Sequence, residues 1–346
     1  MLKKIFFCCK LPSALLIPAF VFVACSGFPA TAKAADDYKY PKMVVQIGHN
    51  DPDTPDNHFQ YYGTQFRDMI AERSKGAIEV QIYPSSQLGG ERDLIEGMQL
   101  GTNDMAMVTG VNIGIFWPEY MVFDLPYLFA DLQEAYKVLD SIGVEINQRL
   151  YEGLNIKVLS NGIGGFRHVG NNLRPIKHVA DMKGMKIRTP EQRLYMETFK
   201  ALGANPTPMA WAEVFTGMQQ HTIDAYECPT SIHYTNRLYE ASKYYSATKH
   251  FFSPVAMMIS GRLWDSMDEK TRQLFIECSQ EVAKKQRAFV AANEEKQQQG
   301  LRDNGMQVNT DVDIEEFRKV VASIWTMFRK DIGGALVDSV IAKIKE

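Results

Sequence analysis

Strand-like and helix-like segments alternate along almost the whole chain, and that alternation limits the folds open to it. MVVQIGHN, from Met43, reads as a strand running into a polar loop. HFQYYGTQFRDMIAERSKG reads as an amphipathic helix, with Phe59, Tyr62, Phe66, Met69 and Ile70 on one face and a stop at Gly76. AIEVQIYP is a second strand, ended by Pro84, ERDLIEGMQLG a helix closed by Gly101, and DMAMVTG a buried strand. This βαβ rhythm predicts an α/β fold with a largely parallel sheet. The rhythm restarts with IKVLSNGI, MKGMKIRTP, EQRLYMETFKALG, a helix over Trp211–Gln220 and TIDAYECP, so two α/β lobes are expected. From Glu269 to Glu346 the pattern is mainly helical, with long charged amphipathic segments. There is no internal repeat and no low-complexity linker.

Residues 1–35 read as an export signal. Lys3, Lys4 and Lys10 form its basic end, Leu11–Cys25 its apolar run, and Ala32-Lys33-Ala34 a cleavage box. The run is shorter than the ~20 residues of a spanning helix and contains Pro12 and Pro18. The expected location is therefore periplasmic. Phe22-Val23-Ala24-Cys25 is a poor lipoprotein box, which leaves lipidation at Cys25 as a variant.

The signal carries four lysines and no acid. Its removal leaves 34 Lys and Arg against 41 Asp and Glu, a net charge of about −7. That balance argues against nucleic acid as a partner, which demands a concentrated basic face. Cys8, Cys9 and Cys25 leave with the signal, so the exported chain keeps only Cys228 and Cys278. One disulfide is open to it, but no disulfide framework and no zinc spacing are present. No cofactor motif is found.

Two arginines, Arg167 in GGFRHVG and Arg188 in DMKGMKIRTP, each follow an apolar run. Placed so, they are expected at a sheet rim, where ligands of α/β folds collect. A guanidinium is planar and permanently charged, and its fork of donors matches a carboxylate. Two of them in one cleft would form an anion receptor.

The ordered segments YPSSQLGGERDLIEGMQLGTNDM, FDLPYLF, GFR…NN…RPI, ADMKGMKIRTP, ALGANPTPMAWAEVFTGMQQ and IDAYECP resemble the solute-binding proteins of TRAP transporters, the DctP type. The resemblance covers essentially the whole exported chain. It implies a two-lobe periplasmic binding protein fold, type II-like, with an interlobe cleft, crossing segments and long C-terminal helices. By analogy, residues 36–164 with 254–293 form one lobe and residues 165–253 with 294–346 the other. It also implies a receptor, not an enzyme, that closes over a small organic acid and hands it to an ion-gradient-driven TRAP membrane permease. In some relatives a long C-terminal helix would mediate dimers.

The resemblance assigns the site residue by residue. Arg188 matches the principal carboxylate clamp and Arg167 a second grip on the same group. Glu227 and His250 match a supporting pair expected to orient Arg188. Trp211 falls at an aromatic wall. Read from its own position, Glu91 opens a helix after Gly89-Gly90, where it either accepts a ligand hydroxyl or favours the helix N-terminus by its charge. Thr109 ends the DMAMVT strand, and His49 and Asn50 end the first, where side chains can reach the cleft. Glu91 and Thr109 are candidates for closure contacts. One departure stands out: the family often has D-G-x-E-N-P where this chain has Asp224-Ala225-Tyr226-Glu227-Cys228-Pro229. Cys228 replaces an Asn that commonly bonds the ligand, and a thiol behaves as a small apolar group. With Trp211, Phe116, Trp117 and Tyr226 as a possible aromatic lining, the expected solute is a 2-oxo or aromatic monocarboxylate, with uronates and aldonates as the alternative. A more distant reading pairs Cys228 with His233 or His250 as nucleophile and base. A cation-assisted receptor is a further rival, but the sequence shows no tight set of metal ligands.

Overall fold

The computed structural model describes residues 38–346. The export signal, its cleavage box and Cys25 lie outside the described residues. Lys39–Glu346 form one compact unit.

One nine-stranded sheet organises the described residues. Its strands are β1 (Met43–Gly48), β2 (Ile78–Tyr83), β3 (Met105–Thr109), β4 (Ile156–Asn171), β5 (Lys186–Thr189), β6 (Asn205–Pro208), β7 (Ala225–Pro229), β8 (Tyr244–Ser260) and β9 (Gln307–Asn309). The order is β2-β1-β3-β8-β4-β7-β5-β6, with β9 beside the start of β8. The outer groups β2-β1-β3 and β7-β5-β6 are parallel within themselves, as the βαβ rhythm predicts. The centre is not: β4 runs antiparallel to β7 and β8, and β8 antiparallel to β3. The expected largely parallel sheet is thus corrected to a mixed one. The cause is β8, a 17-residue strand with Pro254 inside it, a residue that normally argues against a strand interior. The proline is tolerated because it faces Ile163 next to a bulge between Ile163 and Gly165, where the ladder is already interrupted. Gly165 sits there at φ +95°, a conformation that L side chains rarely adopt.

The long helix Glu269–Asp303 packs on β4 and on helix His58–Arg73. It satisfies the backbone freed by the bulge. Gln286 Nε2 donates to the Ile163 carbonyl (2.6 Å), and its Oε1 accepts from the Ile163 amide (2.9 Å). Arg287 donates to the Asn161 carbonyl and forks onto Asp140, both arms at 2.8 Å. Buried backbone groups that leave a ladder need such partners.

Local signals behave as expected around the site. Helix His58–Arg73 starts where the Asn57 side chain accepts from the Phe59 and Gln60 amides, and it buries Phe59, Tyr62, Phe66, Met69 and Ile70. Helix Glu91–Leu100 starts where Asp93 accepts from the Gly90 amide and stops at left-handed Gly101. Helices Ile314–Ile332 and Gly334–Lys345 complete the C-terminal region. Among the described residues, no helix is long and apolar enough to cross a membrane.

Candidate functional site

Arg188 is the third residue of β5, and Arg167 lies inside β4 rather than at a sheet rim. Register brings their surroundings together. Arg167 faces Pro229 of β7, so Glu227, two residues earlier, lies diagonally on the same face. Arg167 Nε donates to Glu227 Oε2 (2.5 Å) and Nη2 to Oε1 (2.7 Å). Both side chains are buried. Burial alone would raise the Glu227 carboxyl, but the Arg167 charge and its hydrogen bonds hold it down to about 2. The same carboxylate holds the Arg167 guanidinium upward against its own desolvation. His250 Nε2 lies 3.2 Å from Glu227 Oε2, and its Nδ1 lies 2.7 Å from Thr248 Oγ1. The supporting pair therefore orients Arg167, not Arg188 as expected. Only Nη1 of Arg167 is lightly held, by Ser253 Oγ at 3.5 Å.

Arg188 is placed differently. Its Nε donates to the Met209 carbonyl (2.8 Å), and its guanidinium carbon stands 5.5 Å from the Trp211 ring centroid. Among the described residues no carboxylate pairs with it. It is only 5% exposed, and desolvation lowers its pKa to about 10. The cleft thus holds one guanidinium paired with a carboxylate and one without a paired carboxylate, although the Glu227 and Glu91 charges act on it from nearby.

Three adjoining recesses form the cleft, and Asn50 and Trp211 border all of them. A cavity of about 330 Å³ is lined by Ser86, Glu91, Asn112, Arg188 and Trp211. A small inner recess of about 40 Å³ reaches Phe59, Thr109, Arg167, Cys228 and Ile232. So the fold gathers Arg188, Arg167, Trp211, Cys228, Glu91 and Thr109, and adds Asn112, Ser86 and Phe59, which sequence reasoning missed. Asn112 follows the expected Thr109 by three residues on the next helix, Gly110–Phe116, and that spacing was a usable signal.

The roles of Glu91 and Thr109 are linked. Glu91 Oε2 accepts from Thr109 Oγ1 (2.5 Å), from the Thr109 amide (3.3 Å) and from Asn112 Nδ2. Thr109 Oγ1 therefore spends its proton on Glu91. Burial raises the Glu91 carboxyl to about 7 although these bonds oppose the shift. Glu91 Oε1 and Asn50 Oδ1 are buried acceptors without a hydrogen-bond partner among the described residues. Such atoms need donors, and a ligand hydroxyl is one.

Other expected residues fall elsewhere. Tyr226 is buried, with its hydroxyl 3.0 Å from His233 Nδ1 and 2.9 Å from Ser242 Oγ. Phe116 and Trp117 pack against the core, so Trp211 alone of the four supplies an aromatic wall. His49 is buried against Phe59 and lies 2.9 Å from Gln60 Oε1. Cys228 and Cys278 are free and lie in different core clusters, so the single disulfide does not form. Burial drives the Cys228 thiol well above its ordinary range. His233 is engaged by Tyr226 and the His168 carbonyl (3.3 Å), and His250 by Glu227 and Thr248. The nucleophile–base reading therefore lacks its contact. Elsewhere the fold gathers His178, Asp313 and Glu316 within 4.8 Å at the surface, where His178 Nδ1 already meets Glu316 Oε2 (2.9 Å).

An α/β framework whose cleft presents a guanidinium with no carboxylate partner fits a receptor for small carboxylates. Residues 48–331 match the bacterial extracellular solute-binding protein, family 7 (DctP), and the chain belongs to that family. It is 34% identical over 290 residues to the 2,3-diketo-L-gulonate-binding periplasmic protein YiaO of Escherichia coli, spanning 83% of this chain and 88% of that protein. The crystal structure of a TRAP periplasmic solute-binding protein from Polaromonas sp. JS666 bound to D-erythronate superposes with a TM-score of 0.83 at 35% identity, covering 87% of this chain and 98% of that one. The sugar acid binding protein DctPAm of Advenella mimigardefordensis, in complex with galactonate, gives 0.85 at 26% identity, covering 89% and 99%. The chain is thus a TRAP-type solute receptor for organic acids with the two-lobe fold of these relatives.

Proposed function

We propose that the protein is a periplasmic receptor for a sugar acid of the aldonate or keto-aldonate kind, delivered to a TRAP permease. The observation that carries this is the pairing of one cation without a paired carboxylate, Arg188, with two unpartnered buried acceptors, Glu91 Oε1 and Asn50 Oδ1, around the same cleft. One guanidinium takes one carboxylate, and two acceptors take ligand hydroxyls. A 2-oxo or aromatic acid would leave both acceptors unpaired, so the sugar-acid alternative displaces it. The relatives that bind D-erythronate, galactonate and 2,3-diketo-L-gulonate support the same choice. Cys228 then borders the inner recess as a small apolar surface beside the carboxylate.

In this reading Arg188 receives the carboxylate, Trp211 closes over it, and Arg167, fixed by Glu227, offers Nη1 to a neighbouring oxygen. Glu91, held by Thr109 and Asn112, selects hydroxyl-bearing carbons. The lobes are residues 36–164 with 254–293 and residues 165–253 with 294–346. The bulge that sets Ile163 and Gly165 against Pro254 and Ser253 supports a boundary there. Closure contacts favour the closed state only when ligand is present, so the ligand shifts the equilibrium by its differential affinity.

The test is calorimetric titration of residues 36–346 with four- to six-carbon aldonates, keto-aldonates, uronates, 2-oxo acids and aromatic acids. Saturable aldonate or keto-aldonate binding that Asn50→Ala and Glu91→Ala both weaken supports the reading. Tight binding of an aromatic or simple 2-oxo acid, with no response to any sugar acid, overturns it.

A further inference from the structure

A second cavity, of about 470 Å³, lies away from the solute cleft. One wall is Pro126, Tyr127 and Leu128 of FDLPYLF, a segment singled out by the sequence that the solute site does not use. The others are Arg318, Ala322 and Trp325 of helix Ile314–Ile332, and Ile344 of the last helix. The volume suits a compact organic molecule.

Four features mark it as more than a packing gap. Tyr127 has φ +56°, an uncommon and strained setting for a bulky aromatic residue. Strain of that kind persists only where the surroundings enforce it. The Tyr127 side chain is buried at 7% exposure, and its hydroxyl has no hydrogen-bond partner among the described residues. Arg318 stands near enough to act on that hydroxyl electrostatically, and its own partner is the exposed Glu315. Trp325 is fixed, because its Nε1 donates to the Pro126 carbonyl (2.9 Å), so its ring forms a rigid apolar wall.

We propose that this cavity is a second ligand site, specific for a compact apolar monocarboxylate such as an aryl- or branched alkyl-acetate. The Arg318 guanidinium and the Tyr127 hydroxyl are the two donors for the carboxylate. Trp325, Leu128, Ala322 and Ile344 form an apolar floor for the body in this open recess. Glu134, also on the rim, accepts from the Ala130 amide at 2.7 Å, which ties it to the backbone of the adjoining loop. A polyhydroxylated acid finds no hydroxyl acceptors on the apolar walls, so the two sites select different acids.

The site is tethered to the solute cleft by the backbone. The Tyr127 amide donates to the His250 carbonyl (3.1 Å), and the His250 ring contacts Glu227, which holds Arg167. The Tyr127 segment and the cleft thus share His250 as a neighbour.

The experiment titrates the full exported chain with phenylacetate, indole-3-acetate and 4-methylpentanoate. Binding is followed by calorimetry and by ¹⁹F resonances of protein labelled with fluorotryptophan. The expected result is saturable binding that perturbs the Trp325 resonance, survives Arg188→Met unchanged, and weakens about tenfold or more in Arg318→Leu and in Ala322→Leu. Arg318 and Ala322 lie outside the solute cleft, and unchanged circular dichroism and urea unfolding of these two variants show that they are folded. No saturable binding by any probe overturns the proposal. So does binding that Arg188→Met abolishes and Arg318→Leu leaves intact, which would place the probes in the solute cleft. Because this site does not involve Arg188, its failure and the failure of the sugar-acid reading are separate results.

Discussion

Replacing Arg188 with Met should raise the stability of the unliganded protein while removing its affinity. Desolvation moves Arg188 from 12.5 to about 10, so at neutral pH the folded state carries a charge it disfavours. About 1.4 kcal/mol per unit puts that cost near 3 kcal/mol, as an order of magnitude. The sign follows from linkage. A cation whose folded pKa is lowered destabilises at every pH below about 10 and stops doing so only as pH rises through 10 toward 12.5. Against this, the substitution loses the bond to the Met209 carbonyl, about 1–2 kcal/mol, and the contact with Trp211, about 1 kcal/mol. Methionine keeps most of the buried volume. The balance is a gain of about 0–1 kcal/mol, or up to about 3 °C in Tm. Ligand affinity should fall by about 2–5 kcal/mol, since a desolvated carboxylate loses its partner. That is a factor of roughly 30 to several thousand in Kd. Urea unfolding at pH 7 and calorimetry with the best-binding sugar acid measure the two effects. An unliganded variant destabilised by more than about 2 kcal/mol would show that Arg188 is compensated in the fold and refute the argument. Affinity unchanged within a factor of about three would remove Arg188 from the site.

Glu227→Gln leaves Arg167 buried without its counter-charge and should cost about 3–5 kcal/mol in urea unfolding. Because the Glu227 pKa is depressed, its stabilisation is present above about pH 4.5 and fades as pH falls toward 2, so the variant should show a flatter acid limb; an unchanged limb sinks the assignment. Glu91, raised to about 7, lowers stability as pH rises from about 4.5 through 7, and the same ionisation makes it a better acceptor. For an anionic ligand the added negative charge outweighs that gain, so sugar-acid affinity should fall across pH 6–8 in the native protein and lose that slope in Glu91→Gln, as titrations at three pH values would show. Cys228 and Cys278 should resist Ellman's reagent in the native state and react together in urea, whereas rapid native labelling of Cys228 would contradict its raised thiol pKa and burial.

Local grammar carried much of the fold because its signals are local. Asn57, Gly90 with Asp93, and Gly101 bound helices where a sequence reader would place them. The centre of the sheet was not legible for a corresponding reason. β8 carries Pro254, and its place in the sheet depends on a bulge in β4 about ninety residues earlier, stabilised by Gln286 from a third segment. No window of one strand contains that information. The same holds for the partners of the clamp. Arg167 and Glu227 are sixty residues apart, and only the diagonal relation between β4 and β7 reveals that Glu227 serves Arg167. Phe116, Trp117 and Tyr226 look like a lining because aromatics are common in binding sites, but the core needs large apolar volume more often.

This redistribution of partners changes what the site can be asked to bind. Two arginines read from sequence form an anion receptor, for which a single carboxylate is the expected partner. With Glu227 committed to Arg167, Arg188 has no paired carboxylate, and a second ligand carboxylate would meet Glu91 instead. Glu91 is itself disfavoured as an anion, so an added negative charge nearby would push its carboxyl further up or weaken binding. Under the proposed reading, the cleft therefore takes one negative charge and several hydroxyls. A dicarboxylic sugar acid such as an aldarate should bind worse than the aldonate of equal length, even though it offers a guanidinium the same carboxylate and presents a similar set of hydroxyls.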